Sequence, residues 1–267
     1  MVPARGNPNS DTVYALDGDD IVKGLGGADY LYGGNGNDRL TGGNGINTSA
    51  DGNDVLDGGR GNDGISGENG DDTIYGGDGN DAMRGDAGND TIYGGNGIDR
   101  LEGGTGDDIL YGGAGNEKGV FSAPNSGGSL VAYEGGLYGG DGNDEIYGGG
   151  GDDNIYGGIG TDALYGGKGA DTFFFASIQE IGKGKTGDLI GDFRRKDGDK
   201  IDLSAIDAKT GGADNAFKYI GDSKFSGKKG ELQYKNGKLS GDVDGDGKAD
   251  FKMFVNTNKL VADDFVL

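Results

Sequence analysis

Aspartate returns every nine residues along much of this 267-residue chain. From Gly58 to Tyr111 the frame holds through GGRGNDGIS, GENGDDTIY, GGDGNDAMR, GDAGNDTIY, GGNGIDRLE and GGTGDDILY. The sixth slot carries Asp63, Asp72, Asp81, Asp90, Asp99 and Asp108, and the eighth carries Ile65, Ile74, Met83, Ile92, Leu101 and Leu110. The same frame yields Asp20, Asp29, Asp38 and Asp54 upstream, and Asp144, Asp153, Asp162 and Asp171 downstream. Carboxylates at this density collect cations. They do not read as an acid/base pair, because no carboxylate constellation stands apart from the repeat slots. The chain has no His, no Cys and no GxSxG elbow, which removes the common nucleophiles and zinc ligands. A non-enzymatic role follows as the expectation.

The repeat itself says how the acids are positioned. Its first six residues suit a tight turn in which glycine reaches positive φ and lets backbone approach closely. Its last three, such as Thr91–Tyr93, suit a very short strand with one side chain inward and two outward. Two units make one coil of eighteen residues, so aspartates eighteen apart, such as Asp72 and Asp90, stack on one edge. Stacked carboxylates lie roughly 4.8 Å apart, one strand spacing, and repel when bare. Calcium relieves that conflict, since it accepts six to eight oxygens from carboxylates and carbonyls in flexible geometry. Magnesium demands stricter octahedral geometry. Aspartate and glycine also make good turns, which explains a bias toward them but not one carboxylate in the same slot throughout. Pairing between neighbouring turns implies about ten calcium ions.

One inward side chain in nine is a thin core against the cost of ordering a glycine-rich backbone. Metal ligation is therefore expected to decide whether the repeats fold. The charge agrees. Residues 1–171 hold 8 Lys and Arg against 30 Asp and Glu, whereas residues 172–267 hold 16 of each, so the whole net charge of −22 sits in the repeats. Nucleic acid is excluded as a partner for so acidic a chain. No stretch approaches a membrane span, and no apolar leader is visible near the start.

The expected organisation is a lead-in over 1–12, a roll over 13–175 and a β-rich C-terminal cap over 176–267. Two insertions break the frame. Seven extra residues near 44–50 should bulge from a turn. Residues 117–136 split one unit, leaving Glu117 in the aspartate slot and Leu137 in the apolar slot; the intervening VFSAPNSGGSLVAY reads as an exposed loop. This second insertion spans a whole coil, so Tyr75, Tyr93, Tyr111, Tyr147 and Tyr165 should share one outer face. That face is either cross-strand stacking or a sugar platform. A flat Thr row for ice binding is absent, because slot three holds only Thr105. Past Thr172, short strands are expected at 188–193, 200–203, 217–220, 231–234, 238–243, 251–255 and 264–267, with single turns at 203–208 and 261–264. Asp242, Asp244, Asp246 and Asp250 occupy positions 1, 3, 5 and 9 of an EF-hand-like loop, with Gly247 at 6 but Met253 where a bidentate Glu belongs. They form either a weaker calcium site or an acidic turn.

The repeats are identified with the G-G-x-G-x-D-x-U-x nonapeptide of RTX proteins, a calcium-binding right-handed parallel β-roll. The segments GGKGADTFFF, LIGDFRRKDGDKIDLSAIDA, GDVDGDGKADFKMF and DDFVL resemble the C-terminal region of serralysin-type secreted metalloproteases, here without the protease's HExxH zinc site. The resemblance implies calcium held between adjacent turns by Asp20 through Asp171 and by turn carbonyls such as those of Gly59, Gly61, Gly77, Gly79, Gly95 and Gly97. It also implies that the tail Asp263–Leu267 belongs to an uncleaved signal for type I secretion in Gram-negative bacteria, with export to the extracellular space and no N-terminal signal peptide. Related rolls occur in lipases, toxins, alginate epimerases and S-layer proteins. The leading expectation is thus a calcium-responsive module that folds after export and stabilises or carries an upstream catalytic or partner domain. The alternative is a calcium-dependent polysaccharide-binding or adhesive module.

Overall fold

The computed structural model describes residues 3–5, 9–43, 51–118, 120–124, 130–181, 187–208 and 216–267. The expected bulge at 44–50 and the middle of the second insertion, 125–129, lie outside them, as does most of the stretch before residue 9.

Alternation of turn and strand winds the chain into a parallel β-roll. Each coil gives one strand to each of two sheets. One sheet has 11 strands and the other 13, and neighbours pair in parallel through the repeats. Register is set by the slots: Ile74 pairs with Ile92 and Ile92 with Leu110. Where the frame slips, the pairing absorbs it. Tyr30 pairs with Val55 and Leu40 with Ile65 across the seven-residue insertion, and Leu110 pairs with Ile146 across the longer one.

Most strands of the roll are six residues long, not three. Thr73–Asp78, Thr91–Asn96 and Ile109–Ala114 run on through the glycine pair, and Gly77, Gly95 and Gly113 stand in register. The turn is accordingly confined to the middle of the unit. Gly97 shows why glycine is needed there: its φ is +140°, and a Cβ would overlap the carbonyl oxygen of Gly79 in the coil below. The slot-eight side chains from both sheets meet inside, with Leu56, Ile74, Ile92, Leu101, Leu110, Ile146 and Leu164 all fully buried.

The two sheets continue without a break into the C-terminal region. Thr172–Phe174 is followed by Lys200–Asp202 and Phe265–Val266 in one sheet. In the other, Leu189–Ile190 is followed by Phe251–Val255, where the pairing turns antiparallel through Lys238–Asp242 and Glu231–Lys235. Larger side chains, including Phe173, Phe175, Phe193 and Phe251, close this end of the core. The Arg195 guanidinium donates from Nε to both oxygens of Asp264, at 2.9 and 2.7 Å, and ties the 194–197 turn to the C-terminal single turn Ala262–Asp264. The segment expected as a loop forms an antiparallel pair, Val120–Pro124 with Leu130–Glu134. Its β-branched and aromatic residues satisfy their backbone locally instead of joining the roll.

The narrow core makes one side chain count. Ile92→Ala is expected to cost about 3 kcal/mol of calcium-loaded stability, against about 0.5 kcal/mol for Thr91→Ala on the outer face. Urea unfolding checks both.

Candidate metal centre

The slot-six aspartates form two rows, one along each edge where strand meets turn. Within a row the backbone N–H of each aspartate donates to Oδ1 of the next coil's carboxylate. One row runs Asp11, Asp29, Asp54, Asp72, Asp90, Asp108, Asp144, Asp162, Asp188, with N–O distances of 2.7 to 3.0 Å. The other links Asp20, Asp38, Asp63, Asp81 and Asp99, then resumes as Glu117, Asp153, Asp171 and Asp199. One oxygen of each accepting carboxylate, from Asp29 and Asp38 onward and Glu117 apart, is thereby spent on holding coil to coil.

The second oxygen has no donor. Oδ2 of Asp29, Asp38, Asp54, Asp63, Asp72, Asp81, Asp90, Asp99 and Asp108 is buried with no hydrogen-bond partner, and so is that of Asp144, Asp153, Asp162, Asp171 and Asp188. What surrounds these atoms is more acceptor. At Gly76, the point where a Cβ would stand lies 2.5 Å from Asp81 Oδ2 and 2.5 Å from the carbonyl oxygen of Gly94 in the next coil. Glycine is required there because the carboxylate packs directly on the backbone. An anionic oxygen beside a carbonyl oxygen, both removed from water, is unfavourable unless a proton or a cation lies between them. The donor set is oxygen only, drawn from carboxylate and carbonyl, which suits a hard cation of the calcium type.

Burial acts on the carboxyls accordingly. Desolvation, reinforced by neighbouring aspartates, pushes Asp72, Asp81 and Asp188 up to about 8 and Asp54 and Asp63 to about 7. Glu117 stands in the aspartate slot fully buried with neither side-chain oxygen bonded. Its carboxyl is raised by burial first and then by Asp153.

Two members of the rows lie outside the nonapeptide frame. Asp188 and Asp199 extend them into the C-terminal region at offsets of 26 and 28 residues, which a nine-residue frame misses. Each nevertheless carries the local D-x-U signal, as Asp188-Leu-Ile190 and Asp199-Lys-Ile201. The carbonyls beside the orphan oxygens belong to slot-one glycines such as Gly94. The expected slot-two and slot-four carbonyls, those of Gly59, Gly61, Gly77 and Gly79, point along the stack at the glycine of the next coil. Slot five makes a separate ladder: Asn62 N–H donates to Asn37 Oδ1, Asn80 to Asn62, Asp107 to Asn89 and Asn143 to Asp107. Asparagine serves there as well as aspartate, because that ladder needs only one acceptor.

In the C-terminal loop, Asp242, Asp244 and Asp250 bring carboxylate oxygens within 4.8 Å of one another. Asp246 is drawn instead to Lys248 at 2.9 Å. The Asp242 oxygens already accept from Gly245 and Gly247 N–H, and Asp250 accepts from Val243, so this cluster is satisfied as a turn. The tyrosines of the outer face stack flat. Tyr75, Tyr93, Tyr111, Tyr147 and Tyr165 have ring centroids 4.8 to 5.1 Å apart and planes within 8°. Each ring covers its neighbour's face, leaving edges and hydroxyls outward.

Comparison with known proteins adds the following. The family model of the RTX calcium-binding nonapeptide repeat (4 copies) matches residues 5–40, 14–48, 49–83, 65–92, 84–116 and 138–173, together more than half of the chain. No curated protein sequence matches it. Among solved structures, the solution structure of the AlgE6R3 subunit from the Azotobacter vinelandii mannuronan C5-epimerase is similar at 27% identity. The match covers 61% of this chain and 80% of that one, with a TM-score of 0.40.

Two outcomes are expected. Asp188→Asn keeps the coil-to-coil hydrogen bond but loses the charge, and should raise the calcium midpoint about tenfold, roughly 1.4 kcal/mol. Asp107→Asn in slot five should leave it unchanged; calcium titrations of both variants check this. Carboxyls raised from 3.8 to about 6–8 make the ion-free fold hold protons that the unfolded chain has released, so its stability falls as pH rises through that window. Calcium displaces those protons. The calcium midpoint for folding should therefore rise from pH 8 to pH 6, with proton release on loading measured by calorimetry in buffers of different ionisation enthalpy.

Proposed function

The chain belongs to the family of RTX calcium-binding nonapeptide-repeat proteins, and from that premise we propose that it is a non-enzymatic module whose folding is switched on by calcium. The observation that carries the proposal is the pair of buried carboxylate rows whose outer oxygens have no donor and lie near backbone carbonyls such as that of Gly94. Without ions that arrangement sets like charges side by side against a core of only two slot-eight side chains per coil, and the chain stays open. With ions the same oxygens become ligands. The aspartates of slot six, from Asp20 to Asp171, together with Asp188 and the turn carbonyls, are the ligands we assign, with about ten ions in all. Asp242, Asp244 and Asp250 are a weaker, secondary candidate.

The biological setting follows from the same physics. RTX repeat proteins are typically secreted. An open chain in a low-calcium cytosol suits passage through a type I export channel of a Gram-negative bacterium. Millimolar calcium outside then folds the roll over 13–175, and the region 176–267 caps its end and carries the export signal. Once folded, the roll stabilises or carries an attached or partner domain. Among the described residues no helix is long and apolar enough to cross a membrane.

A calcium-bridged polysaccharide module is the second reading. Sugar stacking uses ring faces, and the Tyr75–Tyr165 column keeps all but its two end faces against one another; this favours the folding switch. A glycan array probed with calcium separates the two. For the switch itself, far-UV circular dichroism of chelated protein should show a disordered chain that gains strand signal cooperatively as calcium is added. Full strand signal in excess chelator contradicts the reading.

A further inference from the structure

The tyrosine column of the larger sheet has one missing rung. Tyr14 stacks on Tyr32 at 4.7 Å, and Tyr75 begins the long stack with Tyr93 at 5.0 Å. Between them the register places Asp57, paired with Tyr32 on one side and Tyr75 on the other. The two tyrosine rungs are therefore two strand spacings apart, roughly 9.6 Å. The slot between them is one aromatic ring wide, with a ring on each side and a carboxylate at its floor.

The opposite sheet shows what such a rung holds when the chain supplies its own partner. There the stack Phe174, Tyr156, Tyr138 ends against Glu102, a carboxylate in the same slot of the repeat. The Arg100 guanidinium lies over the Tyr138 ring, 4.3 Å from its centroid, and its Nε donates to Glu102 at 2.9 Å. Arg100 occupies slot seven of the coil that carries Glu102. In the coil of Asp57, slot seven is Val55, which brings no charge. Arg60 nearby pairs with Asp78 on the surface instead. Among the described residues Asp57 has neither ion pair nor hydrogen bond, and burial alone pushes its carboxyl above the ordinary range.

We propose that this slot receives a planar cation, the guanidinium of an arginine side chain carried by a partner polypeptide, stacked between Tyr32 and Tyr75 and paired with Asp57. Arginine suits it better than lysine because a flat guanidinium stacks on aromatic faces and meets a carboxylate through two N–H groups, whereas an ammonium is a compact, strongly hydrated point charge. The proposal goes beyond the calcium switch and uses none of its ligands.

The test uses the calcium-loaded chain with tyrosine rings isotopically labelled for NMR. N-acetyl-arginine methylamide is titrated against its lysine and citrulline counterparts. The arginine probe should shift the Tyr32 and Tyr75 ring signals saturably, with a midpoint about tenfold lower than that of the uncharged citrulline probe. Asp57→Asn should weaken the arginine response by a similar factor. Asp57→Tyr completes the column and should abolish the response while the calcium-dependent strand signal stays intact. Equal responses to arginine and lysine, equal responses to arginine and citrulline, or an undiminished response in Asp57→Tyr would each overturn the proposal. Circular dichroism on the same samples reports calcium-driven folding separately, so a failure of the switch is not mistaken for a failure of the slot.

Discussion

Everything in this molecule turns on acceptors facing acceptors along two buried edges. From Asp29 onward the slot-six aspartates use Oδ1 to hold the backbone of the preceding coil and keep Oδ2 without a donor, as Asp81 does beside the Gly94 carbonyl. The first contact builds the stack, and the second makes it conditional. Slot five shows the contrast within the same chain. There the coil-to-coil hydrogen bond is made equally by Asn37, Asn80 or Asp107, since nothing further is asked of the side chain. In slot six an amide would make the same hydrogen bond, yet from Asp20 to Asp171 the slot is acidic in every unit, the one variation being Glu117. The charge serves something other than the backbone.

The rest of the architecture is consistent with stability that arrives from outside the chain. The interior is two facing files of slot-eight side chains, one from each sheet, through most of the roll, widening to a phenylalanine-rich cluster only at the C-terminal end. The outer faces add tyrosine stacking, which rigidifies the sheets without supplying much buried area. Glycine at the close approaches is obligatory and entropically costly in the unfolded chain. A sequence so constituted has little margin of its own, and both sheets run through from the roll into the C-terminal region.

Periodicity made much of this legible in advance. The aspartate rows, the apolar file and the parity of Tyr111 with Tyr147 all follow from a nine-residue frame with two units per coil. The frame also limits what can be read. Asp188 and Asp199 join the rows through irregular connections, so spacing conceals them although their D-x-U context does not. The strands exceed the three residues that the repeat suggests because the glycine pair resembles a turn locally but continues the ladder, pairing being a property of neighbouring coils and not of local propensity. Close packing also sets the slot-one carbonyl, such as that of Gly94, near the orphan oxygens, an approach that only the stacked coils reveal. The meaning of Asp57 was equally invisible, since a missing rung exists only once its neighbours are stacked.

The central claim is that cations occupy the two edges at the orphan carboxylate oxygens. Anomalous diffraction from crystals grown with calcium measures this most directly. The account predicts a row of anomalous peaks on each edge, each within bonding distance of slot-six Oδ2 atoms and a turn carbonyl. Ordered water in those positions, with no anomalous signal along either edge of a fully folded roll, would contradict it.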